Sequence, residues 1–136
     1  MAGPAKATAD LFDALARSKF RSRFRLDSND RAYLEKKTLA VVLEHGRQFV
    51  LDRLAPAQPR GDGRQTPIGG HPIFVAQHAT ATCCRGCLAR WHGIPKRRPL
   101  AEAEVDYVLG VLRRWLENQI DPGQQDPDEP KPDMLF

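Results

Sequence analysis

No stretch of this 136-residue chain is long and apolar enough to cross a bilayer as a helix. The longest aliphatic run is LAVVL at 39–43, against the roughly 20 apolar residues that a spanning helix needs. The opening decapeptide, MAGPAKATAD, has none of the apolar character of a secretory leader. The expectation is a cytoplasmic protein without membrane association, in a compartment where thiols stay reduced. Cysteine is scarce, and Cys83, Cys84 and Cys87 all stand within five residues. An odd number in one cluster argues against a disulfide framework and towards metal, redox or catalytic use. The chain is too short for an eight-stranded α/β barrel or a full dinucleotide-binding fold. It also contains no internal repeat.

What is present is a basic excess, unevenly placed. Lysine and arginine number 21 against 17 acids. The tail 121–136 holds five acids, one lysine and four prolines, a composition that opposes packing and reads as disordered. Residues 1–120 are left with 20 basic and 12 acidic side chains and read as one basic domain. Such a surface suits a polyanionic partner, or simply keeps the domain in solution.

The hydrophobic pattern is mainly helical. Leu11, Ala14 and Leu15 lie at helical spacing in 8–17, with Thr8 or Asp10 as caps. In 17–26, RSKFRSRFRL, basic residues alternate with Ser, Phe and Leu, yet Phe20 and Phe24 also form an i,i+4 pair. This stretch is taken as an extension or second turn of the first helix. Asp27 to Asp30 offer N-caps, and Thr38 divides residues 29–54 into helices at 29–37 and 39–54. Leu39, Val42, Leu43, Gly46, Phe49, Val50 and Leu54 make a buried stripe, with His45 beside it as a structural histidine. Residues 55–72 hold four prolines and four glycines, which no helix or central strand tolerates. A loop of that length inside a small domain is functional or mobile. Residues 73–76 fit a short strand or a buried helical turn. Thr82 is placed to cap a helix at 83–91 that Gly93 ends. Residues 101–119 carry the clearest stripe: Val105, Val108, Leu109, Leu112, Trp115 and Leu116. The expected fold is mainly α, four or five helices around one core with a long Gly/Pro-rich loop.

Chemistry concentrates in GHPIFVAQHATATCCRGCLARWHGIP, residues 70–95. Cys84 and Cys87 form the C-x₂-C half-site that zinc favours, and Cys83, His78 and His92 are available to complete a tetrahedral set. Two other readings stand beside this one. Cys84, Cys87, Leu88 and Trp91 share a helix face and make a plausible core stripe, since free cysteine is often buried. Alternatively, a thiol in a first helical turn beside Arg85 has a lowered pKa. Cys84 and Cys87 are then a redox pair, or Cys83 a nucleophile with His78 as its base. In that enzyme reading the loop contributes Asp62, Arg64, Gln65 and His71, with Gln77 and His78, to a pocket for a small-molecule substrate. A nucleic-acid partner is expected at Arg17, Lys19, Arg21, Arg23, Arg25, Lys96, Arg97 and Arg98, with Phe20 and Phe24 mainly core. A protein-interaction module using the tail and its Met134-Leu135-Phe136 end is a third class.

The AQHATATCCRGC run, with SKFRSRFRL at 18–26, RLAPAQP and DGRQTP within 53–67 and the WL at 115–116, resembles the domain of unknown function 4186 family of small microbial proteins. The resemblance covers roughly residues 10–120. It implies that the loop at 60–72 and the Cys/His segment belong to one site, and it brings no activity with it. The chain departs from the family pattern at Gly69-Gly70, where a basic residue is expected, and within Lys96-Arg97-Arg98, where a glycine is expected. Trp91-His92-Gly93-Ile94-Pro95 is also similar to the hairpin of helix-hairpin-helix DNA-binding modules, with proline where that hairpin has its second glycine.

Overall fold

The computed structural model of the chain describes residues 4–120. Seven α-helices are present in that range: α1 (Pro4–Arg17), α2 (Lys19–Ser22), α3 (Ser28–Lys37), α4 (Leu39–Arg53), α5 (Pro72–Ala79), α6 (Arg85–His92) and α7 (Glu102–Ile120). The fold is mainly α, with no strand among the described residues. The tail expected to be disordered, and the interaction reading built on its end, lie outside the described residues. No described helix is long and apolar enough to cross a membrane.

Local side-chain chemistry sets the breaks. Ser18 caps α2 by accepting the Arg21 N–H at 3.1 Å, so the basic stretch forms a separate short helix rather than a continuation of α1. Asp27 caps α3 through the Asp30 N–H at 2.8 Å, and Thr38 caps α4 through Val41. Each offers one oxygen to an N–H that has no partner within its own helix. Gly93 ends α6 at φ 70°, the left-handed position that favours glycine.

The core stripes of α4 and α7 close around α5, all eight of whose residues are buried. Contacts from α2, α3, α4 and α7 enclose it. Gly46 lets α4 approach closely, because a Cβ there would stand 2.6 Å from Ile73 Cδ1. A second, smaller apolar cluster joins Leu11 and Leu15 of α1, Val111 of α7 and the three cysteines. The long loop expected at 55–72 is present between α4 and α5.

Besides the separate α2, the structure resolves one ambiguity of the sequence expectation and corrects one cap. The ambiguous segment at 73–76 belongs to α5, a full helix; burial on every side leaves no polar face to produce a 3.6-residue pattern. The cap of α6 is Cys84, not Thr82. Thr82 is engaged elsewhere: its hydroxyl lies 3.0 Å from that of Thr80, and its carbonyl accepts Gln77 Nε2 at 3.0 Å.

Candidate functional site

The turn between α5 and α6 builds the cysteine site. Thr80 closes α5 by donating its hydroxyl to the Ala76 carbonyl at 2.7 Å. Ala81 follows at φ 60°, reversing the chain. Cys83 is then held by its carbonyl, which accepts the Thr66 hydroxyl at 2.8 Å. Cys84 is extended and caps α6, its Sγ facing the Cys87 N–H at 3.4 Å. Cys87 rises from the first turn. The three Sγ atoms lie within 4.8 Å of one another and form a group able to hold a metal ion. Cys83 and Cys87 are 3.8 Å apart. A tetrahedral zinc with Zn–S bonds of about 2.3 Å has an S···S edge of about 3.8 Å. The donor chemistry and the spacing therefore fit such an ion. All three thiols are buried, at 8%, 9% and 5% exposure in sequence order.

Arg21 reaches this triangle from α2. It is 8% exposed. Nη2 donates to Cys87 Sγ at 3.0 Å, while Nη1 donates to the His78 carbonyl at 2.7 Å and lies 3.7 Å from Cys83 Sγ. Burial works to lower its pKa, but the bonds to Cys83 and Cys87 outweigh that and the net shift is upward. Cys87 is pushed down by hydrogen bonds from Cys83 and Cys84, and further by Arg21, against its own burial. Cys83 is pushed up by its bonds to Cys84 and Cys87 and by burial. The two thiols thus shift in opposite directions, and the lowered one, Cys87, faces the buried guanidinium.

The histidines expected as ligands are committed elsewhere. His78 Nε2 donates to the carbonyls of Thr66 and Pro67, each at 3.1 Å. His92 Nε2 donates to the Thr80 carbonyl at 2.9 Å, and its Nδ1 accepts the Tyr107 hydroxyl at 2.8 Å. Burial lowers the His92 pKa, in keeping with a neutral ring tying α6 to α7. Among the described residues the ligand group contains the cysteines alone. Asp62 sits on the exposed loop, where Oδ1 accepts the Arg85 N–H at 2.9 Å and Gln65 Nε2 at 2.8 Å. Thr66 and Asp62 thus join the loop to the cysteine segment at two points.

His71 occupies a different place, a cleft of about 610 Å³ shared with Arg23, Arg25, Asp27, Asp30 and Tyr33. Its Nδ1 accepts the Ile73 N–H at 3.0 Å and so caps α5. Nε2 therefore carries the proton and donates to His45 Nδ1 at 3.2 Å, with the Tyr33 hydroxyl 3.5 Å from the same nitrogen. Burial, with the His45 charge next, pushes the His71 pKa from 6.5 down to about 4. Between those values the unfolded chain binds the extra proton, so stability is lost as pH falls from 6.5 towards 4. Substituting His71→Asn keeps a capping oxygen and removes the titration. The melting temperature of the variant should match wild type at pH 7.5 and fall less steeply through that window. An undiminished slope in the variant assigns the pH effect to other groups.

The basic residues divide. Arg17, Lys19, Arg23, Arg25, Lys96 and Arg97 are exposed. Arg21 is not part of that surface, because the sulfurs and the His78 carbonyl hold it inside. Arg98 is bound to Glu104 by two bonds, at 2.8 and 2.6 Å. That pairing, led by the Arg98 hydrogen bonds, holds the Glu104 carboxyl down at about 2. Phe24 stacks on His78 at 5.6 Å. Phe20, expected mainly in the core, is 43% exposed under the Arg21 and Arg23 guanidinium groups.

Sequence reading also missed Arg85, which is wholly buried. Its side chain bonds five backbone carbonyls, in the segments 54–56 and 95–98. No periodicity marks either buried arginine, since both bind groups distant in sequence.

The model of the family described as Domain of unknown function (DUF4186) matches residues 9–117. That span is most of the chain, and the chain belongs to this family. No solved structure matches it.

Proposed function

We propose that this member of the family binds one thiophilic metal ion, zinc, through Cys83, Cys84 and Cys87, and that the ion pins a basic helical domain whose surface contacts nucleic-acid phosphate. The observation that carries the metal reading is the thiol triangle, with its three Sγ atoms within 4.8 Å and Arg21 Nη2 3.0 Å from one of them. Three thiolates around a divalent ion leave one net negative charge, and the Arg21 guanidinium matches it. A buried charge needs such a partner. Zinc, when bound, would keep the three sulfurs deprotonated, while the chain's residues hold them in place: Thr66 fixes the Cys83 backbone, and Cys84 and Cys87 ride on the start of α6.

The nucleic-acid reading rests on exposed Arg17, Lys19, Arg23, Arg25, Lys96 and Arg97. The count of protein ligands favours a second reading of the metal site. Structural zinc usually has four protein ligands, and a site with three keeps a position for water or substrate. That would suit a metal-assisted enzyme, although burial of the thiols restricts access.

Elemental analysis of the full chain should find about one equivalent of zinc, absent from Cys87→Ser. Metal-free protein ends the metal reading. In the cobalt-substituted protein, a visible spectrum unmoved by small anions and thiols favours the pinning role, and a shifted one favours the enzyme. For the surface, log affinity for duplex DNA should fall linearly with log salt, with a slope of about 0.9 per neutralised phosphate. Arg23→Ala with Arg25→Ala should make that slope shallower. No binding at low salt removes the nucleic-acid reading and leaves the metal reading intact.

A further inference from the structure

Arg85, the first residue of α6, has no exposed surface. Nη1 donates to the carbonyls of Leu54, Ala55 and Pro56 at 3.3, 3.5 and 2.9 Å. Nη2 donates to those of Pro95 and Arg98 at 2.7 and 2.9 Å. Its Nε–H is buried without a partner. None of these acceptors is a carboxylate. Asp62 binds the backbone N–H of Arg85, and Glu104 is bound to Arg98. Carbonyl dipoles solvate a buried cation but do not cancel its charge.

The same residue lines a pocket of about 230 Å³, together with Asp62, Lys96 and Arg97. Lys96, Arg97 and Asp62 thus border one small concavity, with the buried Arg85 in its wall. The Lys96 and Arg97 side chains are exposed and have no carboxylate partner among the described ion pairs. Arg97 is also held at φ 72°, a conformation that costs a non-glycine residue energy and often marks a functional position. The pocket is smaller than the roughly 300 Å³ at which sites for whole organic ligands begin. Its charge suits a compact anion attached to something larger that stays outside.

We propose that this pocket binds one phosphate group, with Lys96 and Arg97 in direct contact and the buried Arg85 charge behind them. The phosphate is either a free phosphate or phosphomonoester, or the terminal or backbone phosphate of a nucleic acid. In its nucleic-acid form the proposal rests on the reading above; in its free-phosphate form it stands alone. Asp62 is the opposing charge that limits affinity at this site.

The test uses the full chain and variants that leave Arg85 in place, since removing it threatens folding. Inorganic phosphate at about 20 mM should raise the melting temperature by roughly 4 °C over chloride of equal ionic strength. Lys96→Ala and Arg97→Gly should each weaken phosphate binding about tenfold, and Asp62→Asn should tighten it several-fold. Arg97→Gly relieves the positive φ, so it should melt higher than wild type in chloride while losing the phosphate response. That pairing separates loss of the site from loss of fold. A 5′-phosphorylated oligonucleotide that competes with phosphate, where the unphosphorylated one does not, assigns the site to a terminal phosphate. Equal competition by both assigns it to the backbone. Phosphate binding without either oligonucleotide assigns it to free phosphate and counts against the nucleic-acid reading alone. Phosphate that acts no differently from chloride, or that acts equally on wild type and both cation variants, overturns the proposal.

Discussion

If the three cysteines hold zinc as proposed, a strong chelator is expected to lower the melting temperature by about 15 °C or more. Structural zinc contributes roughly 10–16 kcal/mol of apparent binding energy in small zinc peptides. This domain has its own core around α4, α5 and α7, so only part of that energy should appear as lost stability. About 4 kcal/mol suffices for the expected shift in a domain of this size. The loss should centre on the second cluster, where the three cysteines pack with Leu11, Leu15 and Val111. Without metal, no ion would draw the three sulfurs together beside Arg21. Cys87→Ser alone destabilises for a second reason, because it buries a hydroxyl. The decisive measurement is therefore the double comparison: chelator should have its full effect on wild type and almost none on Cys87→Ser. A wild-type melting curve unchanged by chelator refutes the metal site and leaves the cysteines as core side chains.

Replacing Arg85 by methionine is expected to cost about 3–5 kcal/mol, the range for disrupting a buried charged network. The guanidinium fastens the segment after α4 to the segment before α7 through five carbonyls. Bonds from a charged donor are each worth roughly 1.5–3 kcal/mol. Methionine keeps the apolar stem but orphans those acceptors. Against this, it removes a buried cation that touches no carboxylate, whose pKa burial and then the Arg98 charge push down, opposed by Asp62 and Glu104. That relief cancels part of the gross loss, which is why the expected cost stays below the sum of the bonds. Arg85→Lys should be nearly as damaging, because a single ammonium cannot reproduce the two-pronged geometry. Urea unfolding measures both variants. A cost below about 1 kcal/mol for methionine shows that the carbonyls find water at little expense, and that the loops are held by the Leu100 N–H to Ala55 carbonyl bond instead.

Much of the framework is legible in the chain because its causes are local. Ser18, Asp27 and Thr38 cap helices with their own side chains, and Gly93 ends one at a φ natural to glycine. The stripes of α4 and α7 announce themselves because each helix keeps one face in water. The cysteine cluster is legible too, since its members are neighbours in sequence before they are neighbours in space. Three features depend on the assembled chain. α5 carries no readable period, because packing covers it on every side. Arg21 and Arg85 look like surface residues, yet one is held by sulfur and a carbonyl 57 to 66 positions away and the other by carbonyls 10 to 31 positions away. His78 and His92 have ligand spacing, but Thr66 and Pro67 take Nε2 of His78, and Thr80 and Tyr107 take both ring nitrogens of His92. A helix cap is decided within one turn of chain. Whether an arginine or histidine lies inside or outside depends on which distant backbone groups, left without partners by loops and helix ends, arrive beside it when the helices pack.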